Sequence, residues 1–336
     1  MLSLPLALTG LKRLADRRPM HAQLIITDDC NLACRYCTEF TPGAPHVPLA
    51  ALKARIDRLA ERGVFAYDLL GGEPLLHPDL PAIVRHVKQA RPAWRGGTLV
   101  TVITNAFLLT PARIDALDDA GLDALQVSID SVEPTRWSEK SLKTALPKLR
   151  LLAERARFVV KIQTVLTETS LEQYEAFREA LAPFPFEFSF SLLHGPDGRI
   201  AVKGEQFVEL LGHHDLFQGV AFFRDDAEAL LRGDLSRPWK CLGGYKYLYV
   251  NTRGEVQPCS QVRVGARPLA SLTAEDLEAA NAHKPCEAGC AIGCVRTVSH
   301  AVNDPLKTLA VGLRFARRHS RPGTAAAPAA AATAMR

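Results

Sequence analysis

The chain has 336 residues, 47% of them hydrophobic, which is enough to bury a core and too much for a disordered chain. Its formal charge of +5 is too weak to argue for a nucleic-acid partner, and no apolar run approaches the roughly 20 residues that span a bilayer. The apolar start, Leu2 to Leu11, precedes its basic residues Lys12, Arg13, Arg17 and Arg18, the reverse of a secretory signal, so the cytoplasm is the expected compartment.

In chain order, short strands rich in β-branched and aromatic residues are expected at 22–27, 66–70, 99–104, 124–129, 158–166 and 186–193, as buried parallel strands. Amphipathic helices are expected between them at 48–62, 80–90, 111–120, 140–156 and 170–181. Pro81 and Pro111 suit first turns, and Gly63 and Gly121 suit C-terminal caps. This βα order implies a parallel sheet with right-handed crossovers, open or curled into a barrel. The core is expected over 20–200, followed by a helical connector at 201–238. A hairpin, 245–251 and 255–259 about the turn Thr252-Arg253-Gly254, opens a cysteine-rich region at 239–300. An amphipathic basic helix at 301–320 and a disordered Ala/Pro-rich tail at 321–336 are expected to complete the chain.

The eight cysteines fall in two groups: Cys30, Cys34 and Cys37, then Cys241, Cys259, Cys286, Cys290 and Cys294. Such clustering in a chain of this size reads as metal binding rather than as a disulfide scaffold. The first group follows the first strand, at the C-terminal mouth of the sheet, where α/β folds place their chemistry. Three thiolates within eight residues can wrap one side of a cubane 4Fe–4S cluster and leave its fourth iron open. An open coordination position marks a catalytic metal centre; half a zinc site is the plainer alternative.

Cys30-x3-Cys34-x2-Cys37 directly after a first strand, with Tyr36 before the third cysteine, resembles the signature of the radical S-adenosylmethionine superfamily. The resemblance implies an α/β fold, a partial (β/α)6 TIM-like barrel with a small C-terminal cysteine-rich auxiliary-cluster domain. In that family S-adenosylmethionine chelates the open iron of a catalytic 4Fe–4S cluster. The reduced cluster cleaves it to methionine and a 5′-deoxyadenosyl radical, which abstracts hydrogen from the substrate. Three further stretches fall where the family places its cofactor motifs. Gly71-Gly72-Glu73-Pro74 after the second strand resembles the GGEP motif, which by resemblance holds the methionine amino group. Glycines there let backbone carbonyls approach a ligand that a side chain would block. Thr104-Asn105, and Ser128 and Asp130 within Ser128-Ile129-Asp130-Ser131, resemble strand-end groups that recognise ribose and methionine. Taken singly, each is a plain turn or helix cap; their order at successive strand ends carries the resemblance. The fifth strand, Lys161-Ile162-Gln163-Thr164-Val165-Leu166, lacks the Gly-x-Ile-x-Gly pattern that many members carry near adenine. Gln163 is left as a substitute contact or a core-edge amide.

Cys241 and Cys259 bracket the hairpin, Gly254 precedes Cys259 by five residues, and Cys286, Cys290 and Cys294 follow at intervals of four. This resembles the auxiliary-cluster extensions called SPASM and twitch domains. A full SPASM domain has seven cysteines for two clusters; five imply one auxiliary 4Fe–4S cluster, with a zinc site as the alternative.

Substrate-facing candidates at strand ends are Gln163, Glu168, His194 and Trp137, each also explained by packing or solvation. His213 and His214 are expected to be solvated on a helical stretch. Leu306, Leu309, Ala310 and Leu313 share a helical face near Lys307, Arg314, Arg317 and Arg318. With the N-terminus, they suit packing on their own domain or peripheral contact with an anionic membrane surface. Too little chain precedes the first strand for a separate peptide-recognition domain. The expected function is reductive cleavage of S-adenosylmethionine and hydrogen abstraction from a peptide or natural-product substrate. An electron donor such as flavodoxin or ferredoxin would supply the reductant. A lipid- or isoprenoid-modifying enzyme at the membrane surface, or a non-enzymatic iron–sulfur or zinc protein, are the alternatives.

Overall fold

The computed structural model of the protein describes residues 4–90, 97–212, 224–308 and 310. After helix α1 (Leu4–Ala15), strands and helices alternate: β1 (His21–Thr27), α2 (Leu49–Arg62), β2 (Ala66–Gly71), α3 (Leu80–Gln89), β3 (Leu99–Thr104), α4 (Pro111–Ala120), β4 (Ala124–Ser128), α5 (Leu142–Arg155) and β5 (Val159–Leu166). Two short helices, α6 (Glu168–Glu172) and α7 (Tyr174–Leu181), lead to β6 (Glu187–Leu192), then α8 (Glu205–Gly212) and α9 (Arg224–Leu231). The cysteine-rich region holds β7 (Tyr247–Val250), β8 (Glu255–Gln257), β9 (Arg267–Pro268), α10 (Ala274–Ala279) and α11 (Gly293–Asn303). All nine strands form one unclosed sheet in the order β6-β5-β4-β3-β2-β1-β7-β8-β9.

The first six strands pair in parallel, as the βα order requires, and make a partial barrel with helices outside. Pro81 and Pro111 stand in the first turns of α3 and α4, and Gly63 and Gly121 cap α2 and α4 in left-handed backbone. Leu24, Ile26, Leu69, Val102, Val127, Ile162 and Phe190 point outward into the core beneath those helices. The strands are not apolar on both faces, as sandwiched parallel strands would be. Their inner face is apolar at Ile25, Leu70 and Ile103 but polar along β4 to β6, with Gln126, Lys161, Gln163, Glu187, Ser189 and Ser191 half-buried. Such alternation belongs to a sheet that packs on one side and lines a cavity on the other.

Local chemistry moves several boundaries. Ser141 caps α5 by accepting from the Thr144 amide, which leaves Lys140 outside the helix. Thr167 and Ser170 form a capping box that starts α6 at Glu168, and Gln173 separates it from α7, so the single helix expected over 170–181 is two. The N-terminal apolar stretch forms α1, anchored where buried Lys246 donates to the Arg13 carbonyl at 2.7 Å and to the Asp16 carbonyl. No described helix is long and apolar enough to cross a membrane.

The hairpin β7–β8 joins the main sheet, because β7 pairs in parallel with β1 from His21↔Tyr247 to Leu24↔Val250. The segment after β6 then reaches this region from the other end of the sheet. The Ile200 amide donates to the Gly289 carbonyl at 2.8 Å and the Ala291 amide to the Gly198 carbonyl at 2.9 Å. A loop clasp, rather than strand pairing, therefore bridges the gap between the sheet's two ends. His213, His214, Leu309, Leu313, Arg314, Arg317, Arg318 and the 321–336 tail lie outside the described residues.

Candidate cofactor site

Cys30, Cys34 and Cys37 ride the long loop between β1 and α2, and backbone bonds hold its shape. Thr27 Oγ1 accepts from the Asp29 amide at 3.1 Å and bonds His46 Nδ1 at 2.8 Å. Asp29 Oδ1 accepts from the Gly43 amide at 2.7 Å, and the Cys37 amide closes a turn on the Cys34 carbonyl at 3.1 Å. Cys34 is buried and its two partners are half-buried. Burial pushes the Cys30 thiol up to about 11 and raises Cys37 as well.

The turn after β2 grips this loop. The Gly72 amide donates to the Thr27 carbonyl at 2.9 Å and the Glu73 amide to the Asp29 carbonyl at 2.8 Å. A Cβ on Gly71 would lie 2.0 Å from the Thr27 oxygen, so the glycines are demanded by the cysteine loop's own backbone. Glu73 is wholly buried; Oε1 accepts from Thr104 Oγ1 at 2.6 Å and the Leu75 amide at 2.9 Å, and Oε2 from the Asn105 amide at 2.8 Å. Burial outweighs these three donors and holds its carboxyl above the ordinary range. Asn105 Nδ2 reaches Asn31 Oδ1 at 2.9 Å, tying the end of β3 to the cysteine loop.

A second network ties the loop to β4. Asp130 Oδ2 accepts from Tyr36 at 2.5 Å and from Ser138 Oγ at 2.7 Å, and Ser138 Oγ lies 3.5 Å from Cys34 Sγ. Lys140 Nζ donates to the Tyr36 oxygen at 2.9 Å. Burial alone would lower the Lys140 ammonium; Tyr36, Asp130 and Cys34 more than offset it and hold it well above its ordinary value.

These elements enclose a cavity of about 120 Å³ lined by all three cysteines with Gly71, Gly72, Thr104, Asn105 and Ser128. Lys140 brings a cation and Glu39 an anion to the same wall. Tyr36, Glu73, Pro74 and Asp130 support the wall from behind. Glu168, His194 and Trp137 are not among the lining residues; Glu168 is exposed and Trp137 is 50% exposed. Lys140, Glu39 and Asn31 lie outside the family-like motifs. Ser141, a cap residue ahead of a helical pattern, is the sequence feature that would have released Lys140 from α5.

The second cysteine group packs over the inner face of β1 and β7. Cys241, Cys259 and Cys290 are buried with Ile25, Tyr247, Tyr249 and Val295, and Cys294 packs against them. Burial pushes Cys241 up to about 11, with Cys259 and Cys286 adding to it, and Cys290 up to about 12, with Cys241 and Cys259 adding to it. Burial also takes Cys294 up to about 12, with Cys259 its one thiol neighbour in that balance, and its Sγ sits 3.3 Å from the Tyr247 hydroxyl. Glu39 joins the two groups, accepting from the Tyr249 hydroxyl and from Arg263 Nη2 at 3.3 Å. All eight cysteines are free thiols. Among the described residues, no three His, Cys, Asp or Glu side chains converge on a single ion-sized point; the first three thiols instead line a cavity.

Residues 24–181 match the Radical SAM superfamily. The chain is similar to GTP 3′,8-cyclase 1 of Mycobacterium tuberculosis, 35% identical over 132 residues, covering 38% of this chain and 36% of that protein. It is similar to PqqA peptide cyclase of Bradyrhizobium diazoefficiens, 28% identical over 265 residues, 72% of this chain and 66% of that protein. The match thus spans about a third of the cyclase's length and just under two thirds of the peptide cyclase's. Among solved structures, native anSMEcpe with bound AdoMet and a peptide superposes with a TM-score of 0.59 at 14% identity, covering 90% of this chain and 99% of that one. Streptococcus suis SuiB bound to precursor peptide SuiA gives 0.57 at 15% identity, over 83% and 68% of the two chains. At such identities the likeness is one of fold.

Proposed function

With a radical SAM domain over residues 24–181 as the premise, we propose that the chain reductively cleaves S-adenosylmethionine and abstracts hydrogen from a peptide substrate. The observation that carries this is the cavity in which three free thiols from one loop face the Gly71–Gly72 turn. The donor set fits a 4Fe–4S cluster: three thiolates supply three of four ligands and leave one iron for a ligand that is not protein. When bound, the cluster supplies the electron that breaks S-adenosylmethionine into methionine and a 5′-deoxyadenosyl radical.

The chain's own residues have supporting tasks in this reading. Cys30, Cys34 and Cys37 shed their thiol protons to bind iron, against the burial that raises Cys30 and Cys37. The backbone at Gly71 and Gly72, with Thr104, Asn105 and Ser128, forms the opposite wall and receives the nucleoside and amino-acid groups of S-adenosylmethionine. Glu73, Pro74, Asp130 and Tyr36 hold that wall in place. Lys140 presents a positive charge suited to a carboxylate.

Cys241, Cys259, Cys286 and Cys290, which raise one another's pKa across most of their pairs, hold one auxiliary cluster in this proposal. A peptide substrate is supported by the similarity to PqqA peptide cyclase and by the fold shared with peptide-bound SuiB. Flavodoxin or ferredoxin in a reducing cytoplasm suits eight free thiols and a cluster that must receive an electron.

Anaerobic reconstitution followed by iron analysis and reductant-dependent 5′-deoxyadenosine formation tests the reading. About eight irons per chain are expected, falling to about four with loss of cleavage when Cys30, Cys34 and Cys37 are changed to Ala together. A fully loaded protein that forms no 5′-deoxyadenosine, or a triple variant that still does, overturns it.

A further inference from the structure

The cofactor cavity ends at Ser128, and the polar inner wall of the barrel begins beside it. Ser128 is the register partner of Gln163, and Gln163 of Ser189. One row toward the strands' N-terminal ends lie Gln126, Lys161 and Glu187, with Lys161 Nζ 3.9 Å from Glu187 Oε2. The opposite face of the same strands is apolar and buried at Leu125, Val127, Ile162, Phe188 and Phe190. Strand propensity does not call for serine and glutamine on a half-buried face, since they bring little packing and must be hydrogen-bonded. A wall built this way has polar work to do.

Gln163 is the centre of that wall. Its Oε1 accepts from Ser189 Oγ at 2.6 Å and its Nε2 donates to Ser191 Oγ at 2.8 Å. Two hydroxyls from one neighbouring strand thus fix the amide plane. A primary amide has two N–H donors and two carbonyl lone pairs, so this leaves one donor and one acceptor unused. If the amide were turned over, the serines could exchange roles and the same pair would remain. One donor beside one acceptor is the complement of a peptide group and has nothing to offer an isoprenoid or acyl chain.

We propose that Gln163, held in plane by Ser189 and Ser191, is the specificity-determining residue that receives a main-chain peptide group of the substrate. This deepens the peptide-substrate reading above and rests on it. The placement is consistent with the enclosure: the wall adjoins the cavity of the first three cysteines, and the clasp between Gly198 and Ala291 brings the second cysteine group against the end of β6. The substrate backbone would lie along β5 and β6, its side chain directed toward Ser128.

The test uses the reconstituted full-length protein with S-adenosylmethionine and saturation-transfer NMR. The probes are a pool of N-acetylated, C-methylamidated dipeptides and the same pool N-methylated at its peptide nitrogens. The wild type is expected to bind the first pool and to bind the N-methylated pool several-fold more weakly. Gln163→Leu is expected to weaken the first pool about tenfold, as two lost neutral hydrogen bonds would. The Ser189→Ala/Ser191→Ala double variant keeps the amide but frees its plane, and is expected to fall between the two. Circular dichroism and melting confirm that each variant is folded; should Gln163→Leu unfold, the double variant decides. Equal binding of both pools by the wild type, no binding of either, or undiminished binding by the folded variants overturns the inference. A wild type that forms 5′-deoxyadenosine in any of these cases keeps the proposed function; one that forms none loses it whatever the dipeptides do.

Discussion

A Cβ placed on Gly72 would stand 2.1 Å from the carbonyl oxygen of Asp29, the residue before the first cysteine. Both atoms belong to backbone, so neither can swing aside as a side chain could. Gly72→Ala must therefore push the cysteine loop away from β2 and break the Glu73 amide bond to Asp29. The expected cost is about 1–3 kcal/mol of stability, typical of overpacking. Iron bound at the first site should also fall, because its three thiols share that loop. Melting and iron content after reconstitution are the measurements; a variant with full iron and an unchanged melting temperature would show that the loop can yield.

Glu73 offers a sharper substitution, because its carboxylate accepts from donors on both oxygens. In Glu73→Gln the new carbonyl can take the place of Oε1, facing Thr104 and the Leu75 amide. The new NH2 then faces the Asn105 amide, donor against donor, where Oε2 now accepts at 2.8 Å. A buried mismatch of this kind costs about 1–3 kcal/mol. The strain falls on Asn105, whose side chain holds Asn31, so weaker S-adenosylmethionine binding in equilibrium dialysis should accompany the loss. Unchanged stability and unchanged binding would mean that the carboxyl is already protonated and a donor.

Acid sensitivity should arise at His77. Nε2 donates to the Val47 carbonyl at 2.9 Å while Nδ1 accepts from the Asp79 amide at 3.1 Å, so the buried ring is held neutral. Burial lowers its pKa from the usual value. In the unfolded chain histidine takes a proton near ~6.5. The neutral ring's contribution is therefore complete above that pH and is lost as pH falls toward the lowered folded value. Urea midpoints should drop between about pH 7.5 and 5.5, and drop less in His77→Gln. Parallel curves for the two proteins would place the acid-sensitive group elsewhere.

Strand order, helix caps and the four motif positions were legible because each is local: a strand end, a Pro in a first turn, a Gly after a last turn. What was not legible depends on residues far apart in the chain. Lys140 reads as helix until Ser141 caps α5, and only then does it reach Tyr36. β7 looks like half of an isolated hairpin, yet it pairs with β1 more than 200 residues earlier, which no local pattern encodes. Gly71 and Gly72 were expected to make room for a ligand, whereas the nearest obstacles are the Thr27 and Asp29 carbonyls. The alternation in β5 was visible, since Lys161, Gln163 and Val165 skip the buried Ile162 and Thr164. It gained meaning only when Ser189 and Ser191 stood beside Gln163.

The second cysteine group separates into a set and an outlier. Cys259 lies within electrostatic reach of Cys241, Cys286, Cys290 and Cys294, and Cys241 of Cys286 and Cys290. Cys294 is engaged differently, through the Tyr247 hydroxyl, which itself donates to Gln23 Oε1 at 2.6 Å on the inner face of β1. Moving that sulfur to a cluster would leave a buried tyrosine oxygen short of a partner, a cost that the other four thiols avoid. Cys259→Ala is therefore expected to remove about four irons per chain, and Cys294→Ala to remove none. Parallel iron and sulfide analysis of the two variants, with Cys286→Ala beside them, decides the ligand set. If Cys294→Ala empties the site while Cys286→Ala leaves it filled, the fourth ligand comes from α11 and the Tyr247 contact is one that metal binding breaks.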